Sequence, residues 1–98
     1  MQTRQAIVFG MLRHRPGVLF HGQVNFELRP DCVYYTWRME TDDGEWLCTV
    51  SRPVSLRLIP EDQNAFDFSL NHAVDGLRRY RINQEHLFKV TRWEWIEA

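Results

Sequence analysis

The stretch "YYTWRMETDDGEWLCTV", residues 34–50, carries two tyrosines, two tryptophans and a cysteine on either side of an acidic turn. Asp43-Gly44 suits a two-residue hairpin turn of the primed type, because that turn needs positive φ at its central residues. In the register that this turn sets, the large apolar side chains share one face: Tyr35, Trp37, Met39, Trp46, Cys48 and Val50. The stretch therefore predicts a β-hairpin whose aromatic residues are mainly core.

Five further segments have the alternation or the β-branched content of strands. They are "TRQAIVFGML" (3–12), "VLFHGQVNFEL" (18–28), "VSLRLI" (54–59), "AFDFSL" (65–70) and, at the end of the chain, "HLFKVTRWEWI" (86–96). The first of these segments has the alternative of a helix capped by Thr3, but β-branched Ile7 and Val8 together with Gly10 favour a strand. The prolines fall between these runs, where strand ends are expected, because proline cannot donate to a ladder.

Helical spacing is present in one segment. Leu70, Val74 and Leu77 recur three or four residues apart, and Ser69 or Asn71 is a suitable N-cap. We therefore predict one short helix at about residues 70–80.

The chain of 98 residues shows no break in composition and no linker, so residues 1–98 are expected to form a single domain. The predicted fold class is α+β and mostly antiparallel β. We expect a curved sheet or a small open barrel of about five to seven strands, with the short helix before the last strand.

The two cysteines indicate a reduced compartment rather than a disulfide framework. The hairpin register places Cys32 and Cys48 on opposite faces of the sheet, so two free thiols are expected. The longest uninterrupted apolar run, "AIVF", is too short to cross a membrane, and the N-terminus has no signal-peptide pattern. The expected location is the cytoplasm, without membrane association.

Motifs for catalysis and for cofactors are missing from the sequence. It holds no G-x-S-x-G, no H-E-x-x-H and no glycine-rich phosphate loop, and its histidines and cysteines lack the close spacing of metal ligands. His72 and Asp75 stand three apart on the predicted helix, where such a pair usually lies on the surface. We expect a non-enzymatic protein with no catalytic residues, no metal and no cofactor.

The strongest functional signal is a basic and aromatic segment near the C-terminus. Of the twelve cationic residues in the chain all but Lys89 are arginines, whose planar guanidinium suits contact surfaces. The predicted partner-binding residues, which we call the basic patch, are Arg78, Arg79, Arg81, Lys89, Arg92, Trp93 and Trp95. Exposed tryptophan beside arginine is typical of protein hot spots and of platforms that stack single-stranded nucleic acid. The alternative is that one tryptophan is core and the other packs under an arginine stem.

A second candidate patch lies at the hairpin tip and consists of four acidic residues. This acidic patch comprises Glu40, Asp42, Asp43 and Glu45. Like charges so close together repel, so a basic partner surface would stabilise them. The alternative is a solvated hairpin tip.

The net charge of −1 argues against a general polyanion binder. The leading hypothesis is a non-enzymatic protein-binding module that modulates or inhibits a larger complex, such as an accessory protein of a phage or another mobile element. The first alternative is single-stranded nucleic-acid binding through the segment 78–95. The second alternative is a small enzyme or a ligand carrier.

Overall fold

The structure, a computed structural model, describes residues 2–96 of the chain. A five-stranded sheet has the order β4-β3-β2-β1-β7, and all neighbouring strands are antiparallel. Its strands are β1 (Thr3–Leu12), β2 (Leu19–Leu28), β3 (Cys32–Thr41), β4 (Trp46–Ser55) and β7 (Phe88–Trp95). Between β4 and β7 the chain forms the helix α1 (Ala65–Arg79) and a small hairpin of β5 (Arg81–Ile82) and β6 (Glu85–His86).

The predicted antiparallel sheet with one helix before the last strands is therefore confirmed. Strands β4 and β7 are the two edges of the sheet and do not pair with each other. The sheet is thus open, and the alternative of a small open barrel is not confirmed.

Helix α1 covers one face of the sheet, which we call the inner face. The inner-facing residues of β1, β2 and β3 are almost completely buried: Ala6, Val8, Phe20, Val24, Phe26, Val33, Tyr35, Trp37 and Met39. The helix contributes Phe66, Leu70, Ala73, Val74 and Leu77 to the same core. Each buried aromatic side chain removes roughly 150–250 Å² from water, so a few large residues account for most of this core.

The helix begins earlier than predicted. Asn64 is its N-cap, and the side-chain oxygen of Asn64 accepts hydrogen bonds from the backbone N–H groups of Phe66 (2.9 Å) and Asp67 (3.2 Å). The predicted strand at 65–70 is wrong, because Phe66 and Leu70 fit the four-residue spacing of a helix as well as strand alternation. The N-cap at Asn64 selects the helix.

Two smaller predictions are corrected as well. Ser69 and Asn71, the predicted N-caps, lie inside α1. The predicted strand at 54–59 ends at Ser55, and Leu56–Leu58 form a 3₁₀ helix. The Ser55 hydroxyl caps this short helix by accepting from the backbone N–H of Arg57.

The turn of the β3–β4 hairpin is one residue longer than predicted. The backbone N–H of Thr41 donates to the Glu45 carbonyl (2.8 Å), and the N–H of Gly44 donates to the Thr41 carbonyl (2.9 Å). Gly44 has a φ of +97°, whereas Asp43 does not have positive φ. The connection is therefore a three-residue turn with glycine in the left-handed position, and the predicted two-residue turn is wrong.

Away from the turn, the predicted register of the hairpin is confirmed by the pairs Trp37–Val50 and Met39–Cys48. Next to the turn the register shifts, because Leu47 is an extra residue in β4 and Trp46 pairs with Glu40. Such a bulge changes the side to which the following side chain points. The prediction that Trp46 shares the core face is therefore wrong.

Strand β7 contains a second bulge. Thr91 is an extra residue where the register with β1 shifts. The bulge brings Trp93 and Trp95 to the inner face together with Phe88 and Val90, although strict alternation would separate these two pairs. Strict alternation therefore assigns apolar residues to both faces of this strand, and the extra residue Thr91 is the physical reason.

Both cysteines are free, as predicted, and the structure buries both of them. Cys48 belongs to the core beneath α1, and Cys32 lies in β3 next to the inward-facing Val33 and points to the other side. No helix in the described part of the chain is long and apolar enough to span a membrane.

The β5–β6 hairpin has an unusual turn. Its two central residues, Asn83 and Gln84, have φ angles of 52° and 65°. Positive φ at both positions defines a turn of the primed type, in which asparagine is well tolerated. Glutamine is rare in this left-handed conformation, so the backbone at Gln84 is strained.

Candidate functional site

The face of the sheet opposite α1, which we call the outer face, has no helix or strand of residues 2–96 packed on it. Strand register places one row of side chains across all five strands. In order from β7 to β4, this outer row consists of Arg92, Phe9, His21, Glu40 and Trp46. The outer row thus brings Arg92 of the basic patch and Glu40 of the acidic patch onto one surface.

Trp46 ends the outer row at β4 and is 64% exposed. The indole N–H of Trp46 donates to the Thr49 hydroxyl at 3.0 Å, which orients the ring on the outer face. A groove of about 330 Å³ lies beside it, with Ile7 and Arg38 among its lining residues. An exposed tryptophan with a fixed orientation is suited to anchor a protein contact, because little entropy is lost when it binds.

His21 lies between two carboxylates of the acidic patch. Its Nδ1 is 2.7 Å from Asp42 Oδ1, and its Nε2 is 3.0 Å from Glu40 Oε1. Both ring nitrogens must carry a proton to donate to both carboxylates, so the geometry favours the imidazolium form. The hydrogen bond to Asp42 is the main cause that raises the pKa of His21; partial burial opposes it, and the bond to Glu40 adds to it.

The other two residues of the acidic patch also have partners within the chain. Arg15 Nη1 donates to Glu45 Oε2 at 2.7 Å. The Thr41 hydroxyl donates to the Asp43 carboxylate, and this hydrogen bond lowers the pKa of Asp43. All four carboxylates of the acidic patch are therefore engaged internally, which leaves the hairpin tip less electronegative than its sequence indicates.

The structure divides the basic patch between the two faces of the sheet. Lys89 and Arg92 project from the outer face, where Arg92 lies 4.2 Å from the centroid of the Phe9 ring. Trp93 and Trp95 project from the inner face. The seven residues that the sequence groups together therefore do not form one surface.

Trp93 and Trp95 are half-buried against α1. The guanidinium of Arg78 lies 5.1 Å from the centroid of the Trp93 ring, and that of Arg4 lies 3.8 Å from the centroid of the Trp95 ring. Trp95 Nε1 also donates to Asp67 Oδ1 at 3.1 Å. Each ring therefore has an arginine of the same chain on one face, in the manner of arginine–aromatic packing.

The remaining members of the basic patch, Arg79 and Arg81, line a groove of about 530 Å³ between the C-terminal half of α1 and strands β3 and β4. We call it the helix–β4 groove. Two more basic side chains line it, Arg52 from β4 and His72 from α1. The sequence-based patch does not include Arg52, and the sequence indicates His72 only as a surface residue. Both lie outside the segment 78–95, and only strand pairing and helix packing bring them to the groove.

Two potential nucleophiles lie in the core beneath α1. Burial raises the pKa of the Cys48 thiol to about 11 and also raises the pKa of the Tyr35 hydroxyl. Both groups are therefore protonated at neutral pH and are not activated. Across residues 2–96, no group of three or more histidine, cysteine or acidic side chains is arranged to hold a metal ion.

Comparison of the chain with protein-family models, with curated proteins and with solved structures finds no match. Two surfaces of this molecule combine arginine with aromatic residues and are its candidate functional sites. These surfaces are the outer row and the helix–β4 groove, and they lie on opposite sides of the sheet.

Proposed function

We propose that this chain is a non-enzymatic protein-binding module that contacts its partner through the outer face of the sheet. The observation that carries the proposal is Trp46, whose side chain is 64% exposed and does not pack against the core. Tryptophan and arginine are enriched at interface hot spots, and the outer row contains both. Because no helix or strand within residues 2–96 covers the outer face, the row is accessible to a partner of ordinary size.

The charges on the outer face favour a protein partner over a nucleic acid. Along the outer row the cationic Arg92 and His21 are followed by Glu40, and the neighbouring row carries both Glu94 and Arg38. Nucleic-acid sites neutralise phosphates and therefore need a continuous positive surface. Charges of both signs instead match a specific protein surface and fix its orientation.

Single-stranded nucleic-acid binding through the segment 78–95 has weaker support. Stacking of a base requires an exposed ring face. Trp93 and Trp95 are half-buried, and one face of each ring is covered by Arg78 or Arg4. A ligand-carrier role has separate support, because the helix–β4 groove is of ligand size.

The proposal is tested by comparing capture from lysate by the wild type, by Trp46→Ala and by a matched control. Leu58→Ala is the control, because Leu58 is a large apolar residue of similar exposure (66%) in the 3₁₀ helix, away from the outer row. Each protein is immobilised, and captured proteins are quantified by mass spectrometry with and without nuclease treatment. Capture that Trp46→Ala loses and Leu58→Ala retains supports the proposal.

Affinity measured with the purified partner then gives the magnitude. A true hot spot costs about 2 kcal/mol or more on truncation, which is about thirtyfold in affinity. We expect losses of this order for Trp46→Ala and smaller losses for Arg92→Ala. Wild-type affinity in both variants contradicts the proposal, and capture that disappears after nuclease treatment favours the nucleic-acid alternative. Modulation or inhibition of a larger complex is measured as the change in that complex's activity when the module is added.

A further inference from the structure

The helix–β4 groove exists because α1 does not reach across the whole inner face. The helix packs against β7, β3, β2 and β1 and has at most marginal contact with β4. The helix leaves the part of β4 around Arg52 uncovered, and this part forms one wall of the groove, while the C-terminal half of α1 forms the other. The resulting volume of about 530 Å³ lies within the range of small-molecule sites.

Three guanidinium groups from three different elements line this groove. Arg52 belongs to β4, Arg79 is the last residue of α1, and Arg81 is the first residue of β5. Among residues 2–96, none of these arginines is in an ion pair with a carboxylate. The one carboxylate in the lining, Asp75, lies 3.9 Å from Arg78.

The groove therefore carries an excess of positive charge. Three arginines and one carboxylate correspond to a net charge of +2 when His72 is neutral. An anion in the groove would reduce the repulsion among its guanidinium groups, whose planar forks match the oxygens of a phosphate. A phosphate monoester carries about −1.5 to −2 at pH 7, which complements this charge.

The floor of the groove contains a polar group that has no partner. Trp37 is 1% exposed, and its Nε1 makes no hydrogen bond of acceptable geometry within the described residues. Buried donors of this kind are rare and call for an explanation, of which an absent partner is one. The indole lies beside the Tyr35 hydroxyl, close enough for the Trp37 N–H to oppose the effect of burial on the pKa of Tyr35.

Two further features of the floor suit ligand binding. The Tyr35 hydroxyl and His72 Nδ1 lie 3.0 Å apart and form a hydrogen bond. Gly76 leaves space on the helix side of the groove, because any side chain at this position would point toward the floor. An added Cβ would lie 3.5 Å from Trp37 Cζ2 and 3.9 Å from the Tyr35 hydroxyl oxygen. The groove thus has aromatic side chains at its floor and exposed arginines at its rim.

We infer that the helix–β4 groove binds a small phosphate monoester, with its phosphate held by Arg52, Arg79 and Arg81 above Trp37. The volume exceeds that of a phosphate ion, so the remaining space accepts a ring-sized substituent beside the aromatic side chain of Tyr80. This site is on the side of the sheet opposite the outer row. Its ligand is therefore bound independently of the protein contact proposed for the outer face.

The experiment uses isothermal titration calorimetry with three probes: phenyl phosphate, inorganic phosphate and benzoate. Phenyl phosphate is expected to bind saturably at up to millimolar concentration, more tightly than inorganic phosphate and more tightly than benzoate. Arg79→Gln should weaken binding by about tenfold or more, because it removes a hydrogen-bonded charge from the site. Arg57→Gln is the matched control, since Arg57 is an exposed arginine outside the groove, and should bind like the wild type.

A second measurement reports directly on the floor. Each tryptophan gives one indole N–H signal in a ¹H–¹⁵N correlation spectrum, and the signal that Trp37→Phe lacks belongs to Trp37. Phenyl phosphate should shift this signal in the wild type, and Gly76→Leu, whose side chain extends into the groove, should abolish both the shift and the binding. Circular dichroism confirms that each variant is folded.

Several results would overturn the inference. They are the lack of saturable binding of phenyl phosphate, equal losses in Arg79→Gln and Arg57→Gln, and tighter binding of benzoate than of phenyl phosphate. Trp46→Ala separates the two proposals: it should bind phenyl phosphate normally, and Arg79→Gln should capture the protein partner normally.

Discussion

Replacement of Trp37 and of Trp46 by alanine should have opposite consequences, although the two tryptophans flank the same turn. Trp37 is 1% exposed and packs edge-on against Tyr80, with ring centroids 5.7 Å apart. Truncation of a buried tryptophan to alanine costs about 3–5 kcal/mol of folding stability. Removal of the unpartnered Nε1–H offsets part of this loss, since burial of such a donor costs about 1–3 kcal/mol. We therefore expect Trp37→Ala to lose about 3 kcal/mol, the lower end of the range.

Trp46→Ala should have little effect on the same free energy of unfolding. The side chain is 64% exposed, and its hydrogen bond to Thr49 is at the surface. Exposed substitutions usually change stability by about 0.5 kcal/mol or less, and loss of a surface hydrogen bond adds at most about 1 kcal/mol. The difference between the two variants follows from the bulge at Leu47, which turns Trp46 away from the core.

Urea denaturation followed by far-ultraviolet circular dichroism is the suitable assay, because it does not depend on the tryptophan that each variant lacks. With a dependence on urea of about 1–3 kcal/mol per molar, a loss of about 3 kcal/mol lowers the midpoint by about 1 M or more. The midpoint of Trp46→Ala should fall by no more than about half of that shift. Equal losses in the two variants would show that Trp46 is buried and that the bulge is wrong.

Three further predictions concern the β5–β6 turn, the acidic patch and the core thiol. Gln84→Gly should raise the free energy of unfolding by up to about 1 kcal/mol, because left-handed backbone costs an L-residue about 1–2 kcal/mol and glycine adds chain entropy to the unfolded state; an unchanged or lower melting temperature contradicts the strain at this position. The folded-state pKa of His21 is raised above its unfolded value of about 6.5, so its stabilising contribution is complete below that pH and is lost as pH rises through the folded pKa. The cost of His21→Gln, of the order of 0.2–1 kcal/mol for so exposed a group, should therefore be larger in denaturation near pH 5.5 than near pH 9, and a cost that grows with pH contradicts the assignment. Cys48 should react with thiol reagents only when denaturant unfolds the chain, because burial raises its pKa to about 11; rapid modification of the native protein would contradict its burial.

Much of the fold can be predicted from the sequence because burial of one sheet face imposes alternation along each strand. The alternation of residues 18–28 gives the correct inward residues of β2. The predicted pairs Trp37–Val50 and Met39–Cys48 are also correct, because the extra residue of the turn and the extra residue Leu47 in β4 compensate each other. The helix start could have been found from Asn64 followed by Asp67, an N-cap with an acidic residue in the first turn. The sequence did not indicate this start, because the four-residue spacing of Phe66 and Leu70 fits both a helix and an alternating strand.

The two bulges could not be predicted in the same way. An extra residue such as Leu47 or Thr91 changes which face the next side chain occupies but leaves the composition of the strand unaltered. The candidate site depends on these side chains. Trp46 lies in the outer row and not in the predicted core, and Trp93 lies on the inner face. Arg52 reached the helix–β4 groove through packing between distant segments, which a local pattern cannot express.

The open sheet leaves two strand edges that could template fibril growth, and the chain obstructs both. Edge strands present unpaired N–H and C=O groups to which a second copy can add. Pro53 removes a donor from β4, and the charged Arg52 precedes it. The bulge at Thr91 distorts β7 on the opposite side, and Lys89 adds a charge near it. The two edges therefore disfavour strand-to-strand addition of a second copy, even though the outer face exposes aromatic residues.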